Sequence, residues 1–203
     1  MKKFDVLIIG GGAAGLSCSL ILGSALNKPF ATDKKIGVIT HQKSSALKSA
    51  ELNNVLGFKK GSKGEAILTF GLSQLSENYP EVVQIEKEKV TKIEGTSPNF
   101  TVFTNKNNYK AKIIVVAVGP SNLFNIEGLT QFVVPHYNLP PQKERIMLKN
   151  VNHLVSDGIF VAGVLAGHIS QYAIAAGSGA QVATDILKIW NQGTIMMIHD
   201  AVE

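Results

Sequence analysis

Cysteine, arginine and tryptophan are nearly absent from this 203-residue chain: Cys18, Arg145 and Trp190 are the only ones. A single thiol excludes an intrachain disulfide, a redox C-x-x-C pair and zinc-finger spacing. The net charge of +5 therefore comes almost wholly from lysine. Lysine is a point charge, whereas bidentate reading of phosphates and base edges uses the guanidinium fork. With no basic stripe and no aromatic interleaving, the charge describes a lysine-coated surface and no nucleic-acid partner. A hydrophobic content of 45% excludes a disordered chain and suffices for one good core.

Charge is also missing across residues 6–27, directly after Lys2 and Lys3. Such a stretch resembles a secretion signal or a membrane span. Its glycines argue otherwise. Three of them are consecutive, a fourth is Gly15, and Asp5 interrupts the basic-to-apolar transition. Gly15 also stands three residues before Cys18, where a lipoprotein site would have leucine. Strand, turn and buried helix account for the glycines, so no membrane partner and a cytoplasmic location are expected.

The turn is Gly10-Gly11-Gly12-Ala13-Ala14-Gly15, a G-x-G-x-x-G following the apolar run 4–9. Gly10 permits a tight exit from the strand. Gly12 lacks a Cβ, so a diphosphate can approach the backbone, and Gly15 lets the helix pack closely on the strand. The free amides and positive dipole end of the helix then face the phosphates. The alternative is a glycine-rich strand–helix turn without a ligand, but a strand before and a helix after supply the context for a dinucleotide.

Helical periodicity predicts a first helix over 13–25, with Cys18 as a small core residue. Residues 35–40 read as a buried parallel strand, completing a right-handed βαβ unit. A second helix is expected over 63–77. Period-two alternation then marks strands around 83–90, 100–104 and 109–118, a small antiparallel meander. Residues 120–155, with Pro135, Pro140 and Pro141, read as loop-rich. A short buried strand over 158–163 and an apolar helix over 170–191 follow, with Gly193 as its C′ cap.

Taken in order, four segments resemble the FAD-binding part of low-molecular-weight thioredoxin-reductase-like flavoproteins. They are the opening glycine motif, residues 38–43, residues 114–119, and residues 157–163 with Gln171 and 177–179 beyond. Asn54-Val55-Leu56-Gly57 is similar to the family's asparagine-aromatic-proline-glycine loop, with two positions changed. The resemblance implies a three-layer α/β, Rossmann-like domain with a parallel sheet. It implies FAD held by Gly10, Gly12, Ala13, Ala14, Gly15, Thr40, His41, Gln42, Asn54, Val90, Ala117, Gly119, Gly163, Val164, Gln171 and Tyr172. Family members often dimerise, so a homodimer is expected by analogy.

Departures narrow the reading. The family inserts a second dinucleotide domain of roughly a hundred residues, an ordinary small-domain size, where this chain has only 120–155. No second G-x-G-x-x-G after a strand occurs there, and the disulfide relay is missing. The expectation is one FAD-binding domain over 1–203, formed by 1–119 and 156–203, without thioredoxin reductase activity. Gln42 stands near the family's ribose-binding glutamate, and it bonds without charge; this weakens NAD(P) relative to FAD. Asp33 has the right count but precedes the strand, so it reads as a solvated turn residue.

Val164 stands where the family has an aspartate bonded to the ribityl chain, and a valine accepts no such bond. Ser170 replaces the arginine of an Arg-Gln pair, while Gln171 is kept. His168, beside Tyr172 at the expected flavin edge, is the one catalytic candidate, since imidazole titrates near neutrality. A plain loop histidine is the alternative. His136 and His153 lie in loops without evident partners, and no metal-ligand spacing occurs. Three functions remain open: an FAD-dependent oxidoreductase passing electrons to oxygen or a separate protein, a non-catalytic flavin- or nucleotide-binding module, or, third, an NAD(P)-binding protein.

Overall fold

A computed structural model describes residues 1–40, 45–195 and 198. In chain order the elements are β1 (Lys2–Ile9), α1 (Ala13–Ser24), β2 (Ile36–Thr40), β3 (Glu51–Leu52), β4 (Ser62–Lys63), α2 (Gly64–Asn78), β5 (Val83–Glu86) and β6 (Val90–Glu94). There follow β7 (Phe100–Thr104), β8 (Asn108–Val116), β9 (Val133–Pro135), β10 (Ile146–Leu148), β11 (Leu154–Ser156), β12 (Ile159–Val161) and α3 (Tyr172–Trp190).

The main sheet runs β11-β12-β8-β1-β2-β5 and is parallel from β12 to β5. Strands buried on both faces read as continuous apolar runs, as in the buried Val6, Leu7, Ile8 and Ile9 of β1. Their two faces feed two cores. Val6, Ile8, Val38, Val115 and Phe160 meet Leu16, Cys18 and Leu22 of α1, Leu68 and Leu75 of α2, and Val182 and Ile186 of α3. Leu7, Ile9, Ile39, Ile114, Val116 and Val161 meet Val90, Ile93, Phe100 and Val102 of the meander. Helices, sheet and meander are three layers of an α/β fold.

β8 serves both the sheet and the meander. Its first half pairs antiparallel with β7, from Phe103↔Asn108 to Phe100↔Ala111. Its second half pairs parallel with β12, from Ile114 to Val116. One nine-residue strand thus fixes the meander to the parallel sheet.

The 120–155 stretch is loop-rich, as expected, and within it β9 and β10 form a short antiparallel hairpin while β11 joins the main sheet beside β12. Two expectations need correction. β5 belongs to the parallel sheet, beside β2, and not to the antiparallel meander. The α3 cap also sits one residue earlier than expected. Gln192, with φ of 54°, takes the left-handed position, donating to Ile189 O, and Gly193 donates to Lys188 O. That paired bonding is a Schellman motif with Gln192 at C′ and Gly193 at C″.

Candidate functional site

From β1 the chain winds one way, to β2 and β5; β8 and β12 lie on the other side. The order therefore reverses between β1 and β8, and open α/β sheets bind ligands outside the strand ends at such a point. The glycine turn lies there. Gly10 has φ of 117°, and a Cβ on it would meet Ala117 O at 2.4 Å. A side chain would therefore separate the ends of β1 and β8, which are tied by Ala117 N–H donating to Ile9 O at 2.8 Å. A Cβ on Gly15 would meet Gly10 O at 1.8 Å, so α1 crosses β1 in direct backbone contact. Gly12 differs. It is the N-cap of α1 with ordinary extended backbone, and among the described residues a Cβ there would find only Ser45 Oγ, at 3.8 Å. No acidic residue occupies the first turn of α1. The result is an open main-chain surface at a positive helix end, which fits a diphosphate.

A cavity of 210 Å³ adjoins this turn. Ile9, Gly10 and Ile39 line it from the sheet, Val90 from β6, and Val118 and Gly119 from beyond β8. Leu123, Phe124 and Ile126 form its outer wall. The residues present thus provide an apolar chamber for a flat base beside a phosphate-compatible turn.

Glu88 also lines this cavity and is buried, a feature no sequence motif announced. Its carboxylate accepts from Asn107 Nδ2 at 2.7 Å, Tyr109 Oη at 3.0 Å and Thr104 Oγ1 at 2.6 Å. Burial opposes its ionisation, but these three bonds and the Lys106 charge hold the carboxyl below its usual range. Burial and the same carboxylate push the Tyr109 hydroxyl up to about 12.

The far side of the crevice is the turn 163–167. A Cβ on Gly163 would approach Ala14 Cβ at 3.0 Å, and one on Gly179 would meet Ala14 O at 1.9 Å. The start of α1, this turn and α3 therefore converge. Ser178, buried on α3, accepts from Gly163 N–H at 2.8 Å. Gln171 is the exposed N-cap of α3 and makes no side-chain cap bond. Tyr172 is half-buried, stacks edge-on against Phe58 at 5.3 Å, and has its hydroxyl pushed up by burial. That contact brings the 53–61 loop beside the start of α3. Asn54 in this loop is exposed, whereas Asn53 accepts from Gly61 N–H at 3.0 Å.

Three histidines gather here, where the sequence offered a lone His168. The His168 and His153 rings lie 5.2 Å apart, and His153 Nδ1 is 3.0 Å from Val161 O. His136 is buried, with Nε2 2.9 Å from Val164 O. His136 and His153 therefore have partners, contrary to expectation. Burial, then the charges of His153 and His136, holds the His168 imidazole below its usual range. No group of three or more His, Cys, Asp or Glu among the described residues could hold a metal.

The other candidates separate. Thr40 is buried and spends its hydroxyl on Ile85 O at 3.4 Å, toward β5. His41 and Gln42 lie outside the described residues. Asp33 is exposed in a turn, as expected. Cys18 is fully buried, and desolvation pushes its thiol up, so it is a core residue and no nucleophile.

Comparison with known proteins agrees with this geometry. Residues 4–195 match the model of the pyridine nucleotide-disulphide oxidoreductase family. An uncharacterised oxidoreductase, CzcO, of Bacillus velezensis is 24% identical over 91% of this chain and 52% of its own length. The chain thus spans about half the length of this curated relative. Among solved structures, a thioredoxin reductase from Gloeobacter violaceus superposes with a TM-score of 0.76 at 14% identity, covering 99% of this chain and 100% of its own. An oxidoreductase from Agrobacterium tumefaciens gives 0.70 at 18% identity, covering 93% and 99%. These likenesses share the Rossmann-like fold described above. By its sequence from residue 4 to residue 195, the chain belongs to the pyridine nucleotide-disulphide oxidoreductase family.

Proposed function

We propose that this chain is an FAD-binding oxidoreductase that takes electrons from an external donor and passes them to oxygen or a separate protein. The single observation that carries this reading is the glycine turn itself, whose Gly10 lines the 210 Å³ cavity while Gly12, two residues on, caps the N-terminus of α1. FAD needs both: a diphosphate cradle and a chamber for its adenine. When bound, the flavin would supply the hydride or electron chemistry. The chain's own residues would do the rest. Gly10, Gly12, Ala13, Ala14 and Gly15 would seat the diphosphate. Val90, Ala117 and Gly119 would border the adenosine, with Thr40, His41 and Gln42 at the β2 end. Asn54, Gly163, Val164, Gln171 and Tyr172 would surround the flavin ring and its ribityl chain. His168, with its imidazole held neutral, would exchange protons at the flavin edge.

In this reading the chain is one FAD-binding unit built from 1–119 and 156–203. It acts with an external redox protein and pairs as a homodimer. Adding FAD to the purified full chain should give bound flavin absorbance, displaceable by ADP. NADPH or NADH, or another reductant, should then reduce it, with oxygen uptake following. Protein that takes up no FAD under any condition would overturn the reading. One observation favours a second reading, a non-catalytic flavin-binding module: Val164 offers the ribityl chain no acceptor side chain. Bound FAD with no turnover across a broad panel of reductants would select that alternative.

A further inference from the structure

By the resemblance noted from the sequence, the segment between β8 and β11 stands where the family has a second domain, and its side chains engage the candidate site. Its side chains capture three carbonyls of the turn 163–167. His136 Nε2 lies 2.9 Å from Val164 O, Asn150 Nδ2 donates to Ala166 O at 3.1 Å, and Asn138 Nδ2 donates to Gly167 O at 2.9 Å. Asn138 N–H donates to His136 Nδ1 at 3.2 Å. That nitrogen is therefore the acceptor, and Nε2 carries the proton given to Val164 O. A Cβ on Gly167 would meet Tyr137 Oη at 2.7 Å and Met147 Cε at 3.0 Å, so the hairpin lies directly on the turn.

The turn needs such support. Gly163 and Gly167 both have left-handed backbone, with φ of 74° and 99°. Its second residue is a valine, which offers no side-chain anchor to a polar ligand. Holding the carbonyls outward fixes the peptide planes, and hence what the turn presents toward α1, before any ligand arrives. Preorganisation of that kind raises affinity by removing an ordering cost from binding.

We propose that residues 133–150 are part of the cofactor site, with His136 as the residue that positions the turn 163–167 against the flavin half of FAD. The proposal rests on the FAD reading above. It locates the effect: FAD reaches this turn, whereas ADP occupies only the Gly12 surface and the cavity.

The test is titration of the full chain with FAD and with ADP, in wild type, His136→Ala and His136→Gln. His136→Ala should weaken FAD about tenfold, the scale of one hydrogen bond to a part-buried carbonyl, and leave ADP unchanged. His136→Gln keeps an N–H donor and should restore most of the loss. Amide hydrogen exchange at residues 165–167 should quicken in His136→Ala and return toward wild type in His136→Gln, with or without FAD. Equal FAD affinity in wild type and His136→Ala would overturn the positioning role alone. Parallel losses for FAD and ADP, with a lower melting temperature and no recovery in His136→Gln, would also overturn it, since the residue would then be a general fold support. Wild type that binds ADP but no FAD would remove the flavin reading and this proposal with it.

Discussion

Gly12 and Gly15 are three residues apart in one motif, yet they answer to different constraints. A Cβ at Gly15 would run into Gly10 O at 1.8 Å, and backbone cannot yield as a side chain can. Gly15→Ala should therefore cost at least about 3 kcal/mol, as severe overpacking does. In a chain of this length that lowers the melting temperature by about 6–12 °C. Gly12 has φ of −83°, and among the described residues its Cβ side meets nothing closer than Ser45 Oγ at 3.8 Å. Gly12→Ala should fold within about 0.5 kcal/mol of wild type. It should nonetheless lose at least about tenfold in FAD affinity, because the methyl group occupies the approach of the diphosphate. Calorimetry beside a flavin titration checks both variants, and a Gly12→Ala protein with unchanged FAD affinity would remove the cradle. His168 gives a pH-dependent counterpart. Burial, then the charges of His153 and His136, holds its imidazole below its usual range in the fold. The unfolded chain thus binds that proton more readily, so stability falls as pH drops below about 6.5 and levels off once the folded ring also protonates. His168→Asn should make the acid loss shallower, as read from urea midpoints at stepped pH.

Elements followed the sequence where periodicity was long and apolar. The first two helices and the buried strands fall within two residues of expectation, because helix spacing and uninterrupted apolar runs are local signals. The β9–β10 hairpin was not legible. Its strands are three residues each, Pro135 ends one of them and Pro140 and Pro141 lie in their connection, and the contacts to the turn 163–167 are remote in sequence. Gln192 escaped for a similar reason: with glycine next to it, composition alone points one position too far. The meander shows what a buried polar residue can do for an element. Glu88 joins Thr104 at the end of β7 to Asn107 in the following turn and Tyr109 at the start of β8. Its depressed pKa means that the ionised form stabilises the fold, a contribution lost as pH falls through the folded value. Glu88→Leu should strand three donors and cost about 2–4 kcal/mol, from lost charge-assisted bonds and unsatisfied groups. The loss should be largest at neutral pH and shrink in acid. A variant as stable as wild type would show that the network contributes nothing net.

At the scale of the molecule, the site is assembled from segments that are far apart in sequence and meet at one end of the sheet. The glycine turn was readable because all of its demands fall within six residues. The cavity wall was not, since Glu88 and the 123–126 segment come together only through the fold. The histidines show the same limit: His136, His153 and His168 converge through β9, β12 and the turn before α3. A crevice that spans layers in this way ties ligand binding to global stability. A ligand that binds only the folded state at about a hundred times its Kd adds about 2.7 kcal/mol. For a chain of this size that corresponds to about 5–11 °C in melting temperature. FAD should produce such a shift, and ADP a smaller one, because it reaches only the Gly12 surface and the cavity. Riboflavin, which has no diphosphate, should produce almost none even though it carries the whole flavin ring. The ranking FAD, then ADP, then riboflavin follows from a site whose main grip is on the diphosphate. A thermal-shift series in which riboflavin matched FAD would place the grip on the ring instead, at Asn54, Val164 and Tyr172, and the glycine turn would lose its role.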